Sequence, residues 1–395
     1  MTKINNFVAT LEEMLRFLDS YREDLFYFDI NASVPPSGAR RFDITTFPAD
    51  IAERVIDEIH PGAPSPRLTP KAKAKIDAVV VKPQIGKIAC GVNIHPKNGH
   101  GWPTVHSDMA NVGWVRFPFM SSAAQFPSLT AAFNFFDPVI NAYNTLGVKI
   151  VLVLTHETYG EATGINWNQM DSQKWASFTI NFVTVVERIA EHYGNKIHAY
   201  EIWNEGDANP DNPAAVTFPP ADYAPLLDRA ETAIRAHAPD ASVILGGLIG
   251  GPGVSIPYVK IVQKTLGGRL PVDAIGYHPY GKGAPNDDTV FSRFGSVGND
   301  LDLFQAAFPN VPVWITEIGA LGVDDPEYWD DAALYLTNLY NYIRKNHARN
   351  APVVIWYAWS DAMDRAQKTN GLVTLENNKK PHLYDAFFRE ACKDE

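Results

Sequence analysis

The stretch His198–Asp207, HAYEIWNEGD, decides how this chain is read, and Val311–Ala320, VPVWITEIGA, repeats its pattern. In each, a short apolar run ends in a carboxylate: Glu205 in the first and Glu317 in the second. A buried strand that ends this way puts an ionisable group at the rim of a parallel sheet. That rim is where α/β barrels and doubly wound folds keep their chemistry. Two such ends, about half a barrel apart in sequence, point to a pair of carboxylates facing one site.

Working outward, short apolar runs alternate with amphipathic segments from Lys87 onward, the pattern of parallel βα units. The strand candidates are KIACGVN (87–93), GWVRFPF (113–119), VKIVLVLTHE (148–157), IHAYEIWNE (197–205), ASVILGG (241–247), DAIGYHPY (273–280), PVWITEIG (312–319) and PVVIWYAWSD (352–361). Helical segments such as 130–147, 173–194, 223–239 and 330–348 lie between them, and 381–393 closes the series. Eight strands each followed by a helix predict an α/β fold of the (β/α)8 TIM-barrel kind over residues 84–395. A doubly wound open sheet would want a Gly-rich turn after its first strand, and none stands there. Residues 1–83 read as a partly helical N-terminal extension, with helices near 6–22 and 49–59 and the linker PGAPSPRLTP at 61–70.

Composition bounds the partners. Of 395 residues, 46% are hydrophobic and 20% charged, which fits a globular chain. A net charge of −11 with no Lys/Arg cluster argues against nucleic acid as a partner. No run of 18 apolar residues is present, so no membrane span is expected. The N-terminus lacks the basic and apolar regions of a secretory signal, which predicts a cytoplasmic protein unless a leader has been removed. Cys90 and Cys392 are too few for a disulfide framework or a zinc site and read as ordinary thiols. His95, His100 and His106 crowd the first βα loop, but their spacing matches no standard zinc pattern. No Walker motif, nucleophile elbow or dinucleotide fingerprint occurs, so neither metal nor cofactor is expected. Aromatic residues reach 12% with nine Trp, and flat rings with polar edges suit sugar faces.

Paired carboxylates are the usual equipment for breaking a glycosidic bond. The fourth strand ending in Trp203-Asn204-Glu205 and the seventh ending in Thr316-Glu317 resemble glycoside hydrolase clan A, the barrel clan that includes families 5 and 39. The resemblance spans residues 87–395 in strand order. It implies a retaining β-glycoside hydrolase acting on an oligo- or polysaccharide, with Glu205 as general acid/base and Glu317 as nucleophile. By the same resemblance Asn204 contacts the sugar 2-hydroxyl, and Arg116 sits beside the nucleophile, where its charge would keep Glu317 ionised. His278 and Tyr280 resemble the His-x-Tyr of family 5, and Trp359 the tryptophan under the sugar. His156 and Asn93, at the ends of the third and first strands, are candidate substrate contacts. Trp102, Trp167 and Trp329 are outer sugar platforms or loop anchors. The strand period of two puts Glu201 on the face of Glu205, so it should point into the barrel and find a cationic or hydroxyl partner.

One departure stands out: Gly206-Asp207 follows the acid/base, where the clan often has proline. Two other functional readings share these residues: a carbohydrate-binding barrel without turnover, and a transglycosylase. The sugar, endo or exo action and oligomeric state are left open, because they depend on loops.

Overall fold

The strands form where β-branched and aromatic residues run between Gly, Pro and polar turn residues, and they close into a barrel. The computed structural model describes residues 86–103, 106–212, 215–280, 294–320, 328–363 and 370–391, with two short parallel strands, Phe26–Tyr27 and Arg40–Arg41, nearer the N-terminus. The barrel strands are β1 (Ala89–Asn93), β2 (Trp114–Pro118), β3 (Lys149–Leu154), β4 (Ala199–Asn204), β5 (Ser242–Leu248), β6 (Ala274–Tyr277), β7 (Val313–Ile318) and β8 (Val353–Trp356). All neighbours are parallel, in chain order, and β8 closes onto β1. By compactness the chain divides into Met1–Gln84 and Ile85–Glu395, the latter containing the barrel. The helices expected at 6–22 and 49–59 lie outside the described residues.

Seven α-helices follow strands β2 to β8 among the described residues: α1 (Leu129–Thr145), α2 (Ser172–Tyr193), α3 (Pro220–His237), α4 (Pro252–Thr265), α5 (Phe294–Ala307), α6 (Trp329–Asn346) and α7 (Pro381–Ala391). The count of eight is corrected at the first crossover, where the described residues hold a 3-10 turn at His106–Met109. Caps set the starts of two helices: the Ser128 hydroxyl accepts from the Ala131 amide, and the Asp171 carboxylate from that of Lys174. Outward strand residues pack on the helices. Trp203, for example, is enclosed by Trp175, Phe178, Phe182 and Phe218, with ring centres 4.8–6.2 Å away. Inward residues Trp114, Val151, Ala199, Ile244, Ala274, Trp314, Val353 and Ile355 form a separate apolar cluster.

Two bulges break the alternation near the strands' C-terminal ends. On β7, Ile315 pairs with Val354 and Ile318 with Trp356, so three steps on β7 face two on β8. On β5, Leu245 and Leu248 pair with Ile275 and Tyr277 in the same way. Bulges re-aim side chains, and the site uses both. Among the described residues no helix is long and apolar enough to cross a membrane. Cys90 lies buried on β1 outside any disulfide, its thiol 3.8 Å from Glu390 O, and Cys392 lies outside the described residues.

Candidate active site

At the C-terminal rim of the barrel the inward positions turn from apolar to charged, and Arg116 on β2 is their hub. Its Nε donates to Glu201 Oε2 at 2.6 Å and its Nη2 to Glu201 Oε1 at 3.0 Å. Nη2 also donates to Asn204 Oδ1 at 2.7 Å. Nη1 donates to Asn93 Oδ1 at 2.8 Å and to Glu317 Oε1 at 2.5 Å. These contacts use all five N–H donors of the guanidinium, which satisfies a cation that burial would otherwise penalise. Glu201 is fully buried and also accepts from the Gly247 amide at 2.7 Å and the Thr316 hydroxyl at 3.3 Å, so it points inward with cationic and hydroxyl partners as expected.

Glu317 is held by both oxygens. Arg116 takes Oε1, and the Tyr280 hydroxyl donates to Oε2 at 2.6 Å. Burial alone would raise its carboxyl. The charges of His278 and Arg116 and the hydrogen bonds from Tyr280 and Arg116 outweigh it, and the group ends below its ordinary value. Burial and the neighbouring carboxylate push the Tyr280 phenol well up. The bulge on β7 lets Thr316 and Glu317 both face the site, although they are adjacent in sequence.

Glu205 sits on an unusual turn. Its φ is +52° and that of Trp203 is +78°, both in the left-handed region that non-glycine residues rarely adopt. The turn is fixed from outside: the Trp203 indole donates to Val216 O at 2.8 Å and the Glu205 amide to Gly247 O at 2.8 Å. Strain of this kind persists only where its surroundings over-determine it, and it concentrates at functional sites. Asp207 ties the turn to the β5–α4 loop through the amides of Ile249 and Gly250, and to α4 through the Ser255 hydroxyl.

His278 joins the two glutamates. Its Nδ1 lies 3.0 Å from Glu205 Oε1, and its Nε2 lies 3.1 Å from Thr316 Oγ1 and 3.8 Å from Glu317 Oε1. Burial lowers its basicity, but Glu317 and Glu205 together raise it above the ordinary value. A Cβ at Gly247 would come within 2.0 Å of this ring, so the imidazole needs a glycine opposite it. One oxygen of Glu205, one oxygen of Glu317 and a ring nitrogen of His278 lie within 4.8 Å of one another. Such donors could hold a cation, but the guanidinium already lies against Glu317 and hydrogen bonds occupy His278. That arrangement suits proton transfer better than metal binding.

A cavity of about 200 Å³ opens beside this cluster: Glu317 lines it with Asn93, Arg116, His156, Asn204 and Tyr357, while Glu205 and His278 stand outside its lining. It is smaller than the ~300–1,000 Å³ of most ligand clefts, so its dimensions suit a single small ring. His156 reaches it, with its ring 5.8 Å from Trp167 and 5.9 Å from Trp203. Burial lowers the basicity of His156, while Glu161 acts the other way. Asn93 lines the wall, but its amide donates to Thr316 O and Trp356 O and its oxygen accepts from Arg116. It therefore positions the arginine and the adjoining strands while it lines the cavity.

Trp359 is a correction. It is 3% exposed, packs 6.0 Å from Tyr384 and is not among the cavity's lining residues. The strand ends at Trp356, five residues short of the predicted end. Tyr357, the first residue beyond the strand, faces the cavity instead, 6.2 Å from Tyr280. Trp102, Trp167 and Trp329 pack against the core as anchors. His95 lines the cavity, His100 is exposed, and His106 stacks with Trp102 and Tyr143. Thr316 entered the sequence reading only as part of the Thr-Glu motif, with no role of its own, and Gly247 and Tyr357 escaped it; the bulge that turns Gly247 inward leaves no mark in the hydrophobic pattern.

No family model matches this chain, and no curated protein does. Solved structures do match at the level of fold. The catalytic core of a xylanase A superposes with a TM-score of 0.58 at 12% identity, covering 78% of this chain and 99% of the other. A family 39 glycoside hydrolase from Bacteroides cellulosilyticus WH2 matches at 0.53 and 20%, over 79% of this chain and 64% of its own. An exo-β-1,4-mannosidase from Opitutaceae bacterium strain TAV5 matches at 0.52 and 18%, over 77% and 59%. The barrel is therefore of the kind seen in clan A glycosidases.

Proposed function

We propose that this protein is a retaining β-glycoside hydrolase, with Glu317 as nucleophile and Glu205 as acid/base. The observation that carries this reading is the approach of a Glu205 oxygen and a Glu317 oxygen to within 4.8 Å at the mouth of the barrel. Retaining enzymes hold their two carboxyl groups about 5–5.5 Å apart, whereas inverting ones leave roughly 6.5–9.5 Å for a water. The similar folds, all of them glycosidases by name, support the same reading.

The roles follow from the environments. Glu317, kept ionised by Arg116 and Tyr280, attacks the anomeric carbon as the bond to the leaving oxygen breaks. Glu205 gives its proton to that oxygen. In the second half, Glu205 takes a proton from water, and the water opens the glycosyl ester on Glu317. Asn204, oriented by Arg116 and lining the cavity, is placed to meet a ring hydroxyl. His156 and Tyr357 face the same space, so the substrate is a carbohydrate bound by polar edges and one aromatic face.

A panel of nitrophenyl β-glycosides and polysaccharides tests the reading. At least one should be cleaved, and Glu317→Ala should reduce turnover on the order of 10⁴-fold or more. Azide should restore activity in that variant and give a glycosyl azide of inverted configuration. Glu205→Ala should instead accumulate the intermediate on an activated aryl glycoside, with azide yielding the retained configuration. Swapped configurations would exchange the roles. Absence of any cleavage would leave a carbohydrate-binding barrel, and a product made with an added acceptor sugar would mark a transglycosylase.

A further inference from the structure

The buried Glu201 reaches the acid/base through two side chains. Its Oε1 accepts from the Thr316 hydroxyl at 3.3 Å, Thr316 Oγ1 lies 3.1 Å from His278 Nε2, and His278 Nδ1 lies 3.0 Å from Glu205 Oε1. The positions of the protons in this chain follow from its end groups. A carboxylate can only accept, and Glu201, paired with Arg116 at two points, is a carboxylate. The single Thr316 hydroxyl proton therefore goes to Glu201, where the bond is charge-assisted. Thr316 then has only lone pairs left for the imidazole, so His278 Nε2 carries hydrogen. Glu317 Oε1 at 3.8 Å from the same nitrogen favours that proton independently.

We propose that Thr316 is a positioning residue that fixes His278 as the Nε2–H form and leaves Nδ1 as the nitrogen that shares a proton with Glu205. The inference rests on the assignment of Glu205 as acid/base. With Nε2 committed, the Nδ1–Glu205 bond contains a proton from one side or the other. Either neutral Glu205 donates to Nδ1, or imidazolium donates to the carboxylate. When Glu205 protonates the leaving oxygen, its O–H bond breaks and one forms on the leaving group. The attacking water later returns a proton to Glu205, so His278 ends the cycle as it began. The charged and titratable groups facing His278 are Glu205 beyond β4, Glu317 on β7, Arg116 on β2, Tyr280 beyond β6 and, through Thr316, Glu201. Thr316 is the neutral member through which the fixed anion acts on the titrating pair.

Ring ¹⁵N spectra of the full chain, with His278 assigned by its loss in His278→Asn, test this without any substrate. The wild type should show Nε2 protonated in the neutral ring and Nδ1 as the titrating nitrogen. Thr316→Val removes the hydroxyl at nearly constant shape. It should lower the His278 midpoint by roughly a few tenths of a pH unit, because the lost Nε2–H bond is stronger to the charged ring than to the neutral one. Thr316→Ser should restore the wild-type curve. A neutral ring protonated on Nδ1 in the wild type would overturn the inference, even if the valine variant does not fold. So would a valine variant that titrates like the wild type. On whichever aryl β-glycoside is cleaved, Thr316→Val should shift the basic limb of kcat/KM to lower pH and slow poor leaving groups more than good ones. An unmoved limb would also count against the inference. If no glycoside is cleaved at all, the proposed function fails, and the spectra still judge the hydrogen-bond chain.

Discussion

Trp114 and Arg116 stand two residues apart on the same inward face of β2, yet they belong to opposite kinds of interior. Trp114 meets Trp314 edge-on at 5.1 Å, in a cluster completed by Val151, Ala199, Ile244, Ala274, Val353 and Ile355. One step up each strand, Trp114 gives way to Arg116, Ala199 to Glu201 and Trp314 to Thr316. The lower ring gains stability from apolar surface removed from water, about 25 cal/mol per Å². The upper ring gives up hydration and recovers it only through a complete set of hydrogen bonds. A barrel can hold both because the lower ring tolerates some loss of packing, whereas the upper ring depends on every partner being present.

Removing the hub should therefore cost the most. Arg116→Met keeps much of the volume but leaves Glu201 and Glu317 buried without their cation, and the side-chain oxygens of Asn93 and Asn204 without the donor they share. A loss of about 3–5 kcal/mol is expected from urea unfolding, together with loss of activity. A variant as stable as the wild type would mean that the charged ring is not held by this arginine.

In the lower ring the expected damage is of another kind. Ile244→Ala deletes apolar atoms from a fully buried site and should destabilise by about 2–4 kcal/mol. The comparison sharpens if activity per folded molecule is then unchanged, since Ile244 takes no part in the hydrogen bonds that hold Arg116, Glu201 and Glu317. Stability from urea melts and kcat at a temperature well below unfolding separate the two effects. A large fall in kcat with intact folding would show that the rings are mechanically coupled.

The two rings were not equally legible in the sequence. Apolar periodicity located all eight strands, because burial on both faces of a parallel strand leaves a continuous hydrophobic run. The carboxylates Glu201, Glu205 and Glu317 and the cation Arg116 stood out against those runs, since charges in apolar strands need partners. Asn93 was found as a cavity residue, but its structural bonds to Arg116, Thr316 and Trp356 were not legible, because a sequence does not say which hydrogen bonds are already taken. Trp359 was assigned by resemblance to the clan, and the strand's end at Trp356 leaves it packed on Tyr384 instead. Gly247 was missed because a bulge on β5 resets which residues face inward, and hydrophobic pattern does not record a bulge, whereas Thr316 was quoted with Glu317 but given no role because its partners lie on other strands. The helix expected after β1 failed because that crossover contains a 3-10 turn.

The smallest effect is also the one that separates the rings most cleanly, because only the upper one titrates. Glu317 has a folded value held below the ordinary 4.5. Its contribution to stability is complete above the ordinary value and is lost as pH falls through the folded one. His278 has a folded value above the ordinary 6.5. Its contribution is complete below 6.5 and is lost as pH rises through the folded value. The two overlap between about 4.5 and 6.5, so stability measured by urea melts should have a shoulder or maximum there. Glu317→Gln should flatten the acid side and weaken the alkaline side as well, because it removes the largest charge raising His278. His278→Asn should flatten the alkaline side. Ile244→Ala should lower the whole curve without changing its shape. A profile whose shape survives both upper-ring substitutions would mean that the ion pairs of this site do not distinguish the folded from the unfolded chain.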